Sequence, residues 1–224
     1  MDSLTLEEHG VEIKPGLISE TMINSIIHEV DSSDNSNSKH GIRNADKKFK
    51  SIMQTIGSGL LLAEAKRILQ HTPSIVRVIF FDKTPEKNWL VTWHQDKTVA
   101  VNKKFDSIDW GPWSVKDGIH HVQPPLEVLN NMVTFRLHLD RADEKNGCLK
   151  IIPGSHIPGF LSPEKIQKLV AENTPIPCIA EAGDTVIMRP LILHSSSKAE
   201  CQRHRRVVHV EFSGYKLPDE IFWA

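Results

Sequence analysis

Trp93-His94-Gln95-Asp96 carries the strongest chemical signal in the chain. Side chains of a strand alternate faces, so His94 and Asp96 point one way and Gln95 the other. An imidazole nitrogen and a carboxylate oxygen then stand side by side. One further histidine from a distant strand completes a 2-His-1-carboxylate set, the ligand type that suits non-haem Fe(II) and leaves coordination positions open. Leu191-Ile192-Leu193-His194-Ser195-Ser196 supplies that histidine, 100 residues later, and Arg205 follows 11 residues after it. His156 lies just past a Pro153-Gly154 turn with no arginine-bearing strand behind it, so His194 is the expected distal ligand.

These residues need strands to hold them, and the pattern supplies strands. Ile75 to Phe81 is rich in β-branched and aromatic residues and reads as a buried strand. Trp89 to His94 begins the next one. Met132 to Asp140 alternates, with Val133, Phe135, Leu137 and Leu139 on one face and Thr134, Arg136, His138 and Asp140 on the other. Asn146-Gly147 signals a hairpin turn into a return strand, Cys148 to Ile152. Thr185 to Met188, Leu191 to His194 and Arg205 to Phe212 complete the set. Ala100 to Gln123 reads as a long loop, and loops of that length are often functional.

The first third is different. Ser19 caps an apolar stripe of Met22, Ile23, Ile26, Ile27 and Val30 at helical spacing. Asp31 to Ser38 is a polar tract read as a flexible loop. Lys47 to Ile56 and Leu60 to Leu69 are further helical segments, and Ser162-Pro163 opens a later helix. Helices followed by seven or eight strands with hairpin signals exclude a doubly wound parallel sheet. They suit a mainly β domain with flanking helices, two antiparallel sheets folded as a jelly roll. One domain over 1–224 is expected, with a helical buttress over about 1–73 and a jelly-roll core over about 74–224.

Composition narrows the partners. Lys plus Arg number 27 against 28 Asp plus Glu, which gives no global charge for nucleic acid or an anionic membrane. The sequence has neither a long apolar run nor a start resembling a secretory signal, and its three distant cysteines read as reduced thiols. A cytoplasmic protein is expected.

Taken in order, Trp93-His94-Gln95-Asp96, Asn146-Gly147-Cys148-Leu149, Pro153-Gly154-Ser155-His156, Leu193-His194-Ser195-Ser196 and Arg205-Arg206 resemble the phytanoyl-CoA dioxygenase family. The opening Glu7-Glu8-His9-Gly10 is similar to the family's usual start. Asp82-Lys83-Thr84-Pro85 and Asn88-Trp89 resemble its small bacterial members, which are shorter than those acting on acyl-CoA. The resemblance implies a double-stranded β-helix (a cupin-like jelly roll) and an Fe(II)- and 2-oxoglutarate-dependent dioxygenase. Such an enzyme hydroxylates a small organic substrate with O2 and releases succinate and CO2. It implies His94, Asp96 and His194 as the metal ligands and catalytic centre. Halogenating relatives lack the carboxylate, so Asp96 favours hydroxylation.

The resemblance also implies Arg205 as the partner of the co-substrate's distal carboxylate, because a guanidinium grips a carboxylate bidentately and stays charged. Alternation leaves Arg206 as the rival: it shares a face with Val208, Val210 and Phe212, and would point inward if that face were the core. Ser196 is similar to a family hydroxyl on the same carboxylate, with a turn serine as the plain alternative. Gln95 and Asn88 are candidates for the co-substrate's other end, and Lys83 reads better as a loop lysine. Trp110, Trp113 and His121 of the long segment, and Arg136, are candidate substrate contacts. Arg136 turned into a pocket would favour an anionic substrate; turned outward it is a solvated arginine. A jelly-roll metal-binding or sensor protein is the rival reading, sharing the ligands without needing the arginine. A zinc hydrolase fits less well, since no general base stands near the triad.

Overall fold

A computed structural model describes residues 4–33 and 41–224. In chain order the elements are β1 (Val11–Lys14), α1 (Glu20–Asp31), β2 (Ile42–Arg43), α2 (Ala45–Lys48), α3 (Lys50–Ile56), α4 (Leu60–Leu69), β3 (Ser74–Lys83), β4 (Val91–His94), β5 (Val99–Val101), β6 (Trp113–Lys116), β7 (Ile119–Val122), α5 (Leu126–Asn130), β8 (Met132–His138), a 3-10 turn (Glu144–Asn146), β9 (Leu149–Ile152), α6 (Pro163–Glu172), β10 (Ile176–Cys178), β11 (Thr185–Met188), β12 (Leu193–Ser196) and β13 (Arg205–Ser213). The major sheet runs β1-β11-β8-β13-β3-β2 and the minor sheet β10-β9-β12-β4. Every pairing is antiparallel. This is the jelly roll that the strand count and hairpin signals led one to expect.

Both faces of the major sheet are covered, by different things. Val78 and Phe80 of β3, Val133, Phe135 and Leu137 of β8, and Val208, Val210 and Phe212 of β13 pack outward, against Ile23, Ile26, Ile52, Ile56, Leu61 and Ala65 of the helices. Phe135 and Phe212 meet edge to face, centroids 5.2 Å apart. The stripe on α1 thus exists to roof the sheet, and truncating Ile26, fully buried, would cost about 2–5 kcal/mol. Ser19 caps α1, its Oγ accepting from the Met22 amide at 3.3 Å. The alternate residues of the same strands, Arg77, Ile79, Phe81, Arg136, Arg205 and His209, face the space between the sheets.

Four expectations need correction or limits. Ala100 to Gln123 is not a loop: it holds β5, β6 and β7, a three-stranded sheet in order β5-β7-β6 turned at Asp117-Gly118. Asn146-Gly147 is not a hairpin turn, because β8 pairs with β11 and β13 while β9 pairs with β10 and β12. Asn146 spends its side chain on the Asp143 amide (2.8 Å) and the Arg141 carbonyl (2.7 Å), so the segment becomes a capped turn crossing between sheets. Lys47 to Ile56 is two helices broken at Phe49, whose backbone is extended. Within the otherwise helical N-terminal third, β1 and β2 form the two edges of the major sheet. The polar tract falls largely on 34–40, outside the described residues. Cys148, Cys178 and Cys201 are unpaired, and no described helix is long and apolar enough to cross a membrane.

Candidate active site

β4 ends at His94 and pairs with β12 so that His94 lies opposite His194. Their rings sit 4.2 Å apart between centroids. Asp96 is placed two residues past the strand, its amide bonded to the Pro190 carbonyl at 3.0 Å. Its two carboxylate oxygens lie 3.8 Å from His94 Nε2 and 3.7 Å from His194 Nε2. The three side chains bring their ligand atoms within 4.8 Å of one another. Each imidazole is oriented by its own strand: His94 Nδ1 is 2.8 Å from the Thr92 carbonyl, and His194 Nδ1 is 2.8 Å from the Ile192 carbonyl. A carbonyl only accepts, so Nδ1 carries the proton and Nε2 turns its lone pair toward Asp96.

Electrostatics favours the ligand form of the buried pair. Burial alone would raise Asp96, but His194, His209, His94 and Arg77 hold it at about 2. Burial pushes His194 down to about 4, which Asp96 only partly opposes. At neutral pH the site therefore presents a carboxylate and a neutral imidazole without first losing protons.

The triad opens into a cavity of about 210 Å3, walled by Ile79, Phe81, Trp89, Val91 and Leu149. Arg205, at the start of β13, reaches into it and is 3% exposed, with no partner for Nε or Nη1. Burial, then the neighbouring Arg136, push its guanidinium down to about 9. Arg136 is buried too; its Nη1 is 3.1 Å from His209 Nδ1 and its Nε has no partner. Beneath Arg205, Lys83 is fully buried and donates to Ser196 Oγ at 2.9 Å and the Ser197 carbonyl at 2.7 Å, its ammonium 5.4 Å from the Trp89 ring centroid. Ser196 in turn donates to the Gly147 carbonyl at 2.8 Å. Burial, then Arg205 and Arg136, lower Lys83 to about 7. His138 lies in the same buried field, held well below its ordinary value by burial and both arginines, with neither ring nitrogen partnered. Three buried cations with no salt-bridged carboxylate among the described residues are costly unless an anion from outside joins them.

The Arg205–Arg206 ambiguity has a physical answer in the covering of the sheet. The apolar face of β13 is indeed a core face, but the core it meets is the helical roof. Arg206 lies on that side and is held by Asp140 at 2.8 and 2.9 Å and by Asp31 at 3.4 Å. The polar face is the cavity face.

Several expected contacts lie elsewhere. Gln95 points away from the triad; its Nε2 donates to the carbonyls of Gly159 (2.9 Å) and Leu191 (2.7 Å), and its Oε1 accepts from the Leu161 amide (2.9 Å). Asn88 is closed on the backbone of Ala199, donating at 2.8 Å and accepting at 2.7 Å. Both brace loops, and neither lines the cavity. Trp110 and Trp113 also miss it, packing on Phe105 at centroid distances of 4.9 and 5.3 Å in a cluster with Val99, Val101 and Val122. Lys116 is what the β6–β7 hairpin sends into the cavity. His121 stands behind the wall, its Nδ1 3.4 Å from Arg77 Nη1, and burial with Arg77 lowers it to about 4. His156 turns outward to the Glu7 carbonyl, 3.2 Å away.

The residues missed from sequence are Arg77, His209, Glu211, Arg43 and Lys116, while Lys83 was named and set aside as a loop lysine. Arg77 is locked to Glu211, which His209 Nε2 also meets at 3.1 Å. Asp96, His209 and Glu211 form a second close group sharing one triad residue. The available signal was a polar residue at alternate positions of otherwise apolar strands: Arg77 and Lys83 on β3, Arg205, His209 and Glu211 on β13.

The family model described as phytanoyl-CoA dioxygenase (PhyH) matches residues 8–207. The peroxisomal phytanoyl-CoA dioxygenase of Bos taurus is 28% identical over 132 residues, 52% of this chain and 38% of that protein. The chain thus spans less than two thirds of the length of the curated relatives it matches. Among solved structures, HygX from Streptomyces hygroscopicus with nickel and 2-oxoglutarate bound superposes with a TM-score of 0.66 at 14% identity, over 94% of this chain and 87% of that one. The non-haem α-ketoglutarate-dependent carbocyclase SnoK from nogalamycin biosynthesis gives 0.69 at 14% identity, over 93% and 81%. At these identities the likeness is one of fold.

Proposed function

The chain belongs to the phytanoyl-CoA dioxygenase family, and on that premise we propose that it is an Fe(II)- and 2-oxoglutarate-dependent oxygenase that hydroxylates a small organic substrate. His94, Asp96 and His194 would hold the iron, a three-residue set that leaves coordination positions free for the co-substrate. Arg205 takes the distal carboxylate of 2-oxoglutarate, with Ser196 and Lys83 behind it. Iron(II) with 2-oxoglutarate and O2 supplies the chemistry, splitting the co-substrate to succinate and CO2 while a C–H bond of the substrate is oxidised.

The single observation that carries this reading is Arg205. Its guanidinium is buried, lacks partners for two of its nitrogens and faces the same cavity as the triad. A site that only bound metal would have no use for it, and burying an unpaired cation is expensive. A dicarboxylate reaching from the metal to Arg205 gives it bidentate, charge-assisted hydrogen bonds. HygX, with nickel and 2-oxoglutarate bound, supports that co-substrate. SnoK, a carbocyclase on a similar fold, makes hydroxylation a choice among outcomes; the intact carboxylate at Asp96 argues against halogenation, and hydroxylation is the simplest of the outcomes that remain. The chain is read as one oxygenase domain, the helices serving as roof to the major sheet.

The test is decarboxylation of 1-14C-labelled 2-oxoglutarate by the Fe(II) protein, with succinate measured alongside. Slow substrate-free turnover is expected, abolished in His194→Ala and reduced about a hundredfold in Arg205→Met. Metal binding without any decarboxylation by the wild type would favour a metal-binding or sensor protein instead.

A further inference from the structure

The cavity keeps an excess of positive charge after the proposed metal and co-substrate are counted. Fe(II), the Asp96 carboxylate and the two carboxylates of 2-oxoglutarate together carry one negative charge, which Arg205 alone cancels, before Lys83 behind Ser196 is counted. Arg77 is neutralised by Glu211. Arg136 is left over, buried, with His209 Nδ1 as its polar neighbour and its Nε unpartnered. Lys116 is left over as well: it lines the cavity from the tip of β6, beside Arg77 and Arg43, and has no salt-bridged carboxylate among the described residues. Burial and then those two guanidiniums lower its ammonium. Arg43, on edge strand β2, shares the rim, and its Nη1 is 3.1 Å from Asp117 Oδ2. That pair is loose, with side chains 41% and 63% exposed, so a better anion can displace Asp117.

We infer that the primary substrate is a small organic oxyanion, a carboxylate or a phosphate ester, whose charged end docks between Lys116 and Arg43 at the cavity rim. Its carbon skeleton runs inward along Phe81 and Val91, past Arg136, to the triad. The location of the reacting carbon rests on the oxygenase reading above; the anion site itself rests on Lys116, Arg43 and Arg136. The β6–β7 hairpin sets specificity, because β6 ends on the rim cation Lys116 and the turn that follows, Asp117-Gly118, carries the carboxylate that keeps Arg43 occupied. Asp117 adopts φ +50° and Gly118 φ +77°, a tight turn that fixes where Lys116 projects.

The experiment uses protein loaded with Ni(II) and 2-oxoglutarate, which binds without turning over. Calorimetric titrations compare alkyl and aryl carboxylates with their primary amides and with phosphate esters of the same skeleton. Carboxylates or phosphates are expected to bind about tenfold tighter than the amides, and the better of the two identifies the anion. Lys116→Gln lowers oxyanion affinity about threefold to tenfold and leaves amide affinity unchanged. Asp117→Asn, which frees Arg43, raises oxyanion affinity by a similar factor, an effect that loss of structure would not produce. Equal binding of oxyanions and amides, no binding of any oxyanion, or an oxyanion-to-amide ratio that neither variant moves would overturn the inference. The co-substrate is titrated into the same samples. Normal 2-oxoglutarate binding without oxyanion preference sinks this site alone, whereas oxyanion preference without 2-oxoglutarate binding sinks the oxygenase reading and leaves this site standing.

Discussion

Replacing Arg205 by methionine should stabilise the empty protein and remove most of the stabilisation that 2-oxoglutarate gives the wild type. In the empty protein the guanidinium is buried with Nε and Nη1 unpartnered. An unmet buried donor costs about 1–3 kcal/mol, and an apolar chain of similar length removes that cost along with the repulsion from Arg136. Empty Arg205→Met is therefore expected to be more stable by about 1–3 kcal/mol, or roughly 2–12 °C in Tm for a chain of this size. Loading with the co-substrate works against the variant. Loss of a bidentate charge-assisted grip removes about 3 kcal/mol of co-substrate binding, a rise in Kd of roughly 150-fold. With Ni(II) present and 2-oxoglutarate at 100 times the wild-type Kd, the wild type gains about 2.7 kcal/mol and the variant only a few tenths. Scanning calorimetry with and without 2-oxoglutarate reads both halves. A variant that melts well below wild type when empty, and is stabilised equally by 2-oxoglutarate, would show that Arg205 is structural and refute the reasoning.

Lys83→Met should weaken 2-oxoglutarate binding and flatten its pH dependence. Lys83 titrates near 7 in the empty protein and a bound carboxylate holds it charged, so wild-type affinity is full below about 7 and falls as pH rises above it; calorimetry across that range checks this. Gln95→Leu leaves three buried backbone groups unpaired and should cost about 2–4 kcal/mol in denaturant unfolding, with the metal-binding stoichiometry unchanged. Gly147→Ala places a Cβ at clash distance from the Ser197 carbonyl and in a left-handed conformation, φ +72°. It should lower Tm by several degrees and weaken 2-oxoglutarate, because it displaces the strand end that carries Ser196.

The triad was legible because its geometry is local. His94 and Asp96 share a strand face by spacing alone, and His194 needs only one paired strand to meet them. The fold class was legible for a similar reason: alternation and turn residues mark strands wherever they pair. What failed to show was which solid object covers each face. Val208, Val210 and Phe212 announce a buried face, yet nothing in their order says that helices bury it and that the cavity takes Arg205 and His209. Lys83 was hidden by the same ambiguity, since at the end of β3 it reads as the first residue of a loop when it is the last residue of a strand. Gln95 and Asn88 were drawn toward the site by their neighbours in sequence, while their amides are matched to backbone of distant segments that only the fold brings near. Asn146-Gly147 misled because its turn chemistry is real but the strands on either side belong to different sheets.

The most direct test of the central claim is anaerobic titration of the metal-free protein with Fe(II) and then 2-oxoglutarate, following the weak visible metal-to-ligand charge-transfer band. The account predicts a band in the wild type at one equivalent of each, absent in His194→Ala and shifted to far higher 2-oxoglutarate concentration in Arg205→Met. Bound Fe(II) with no band at any 2-oxoglutarate concentration, or an identical titration in Arg205→Met, would contradict it.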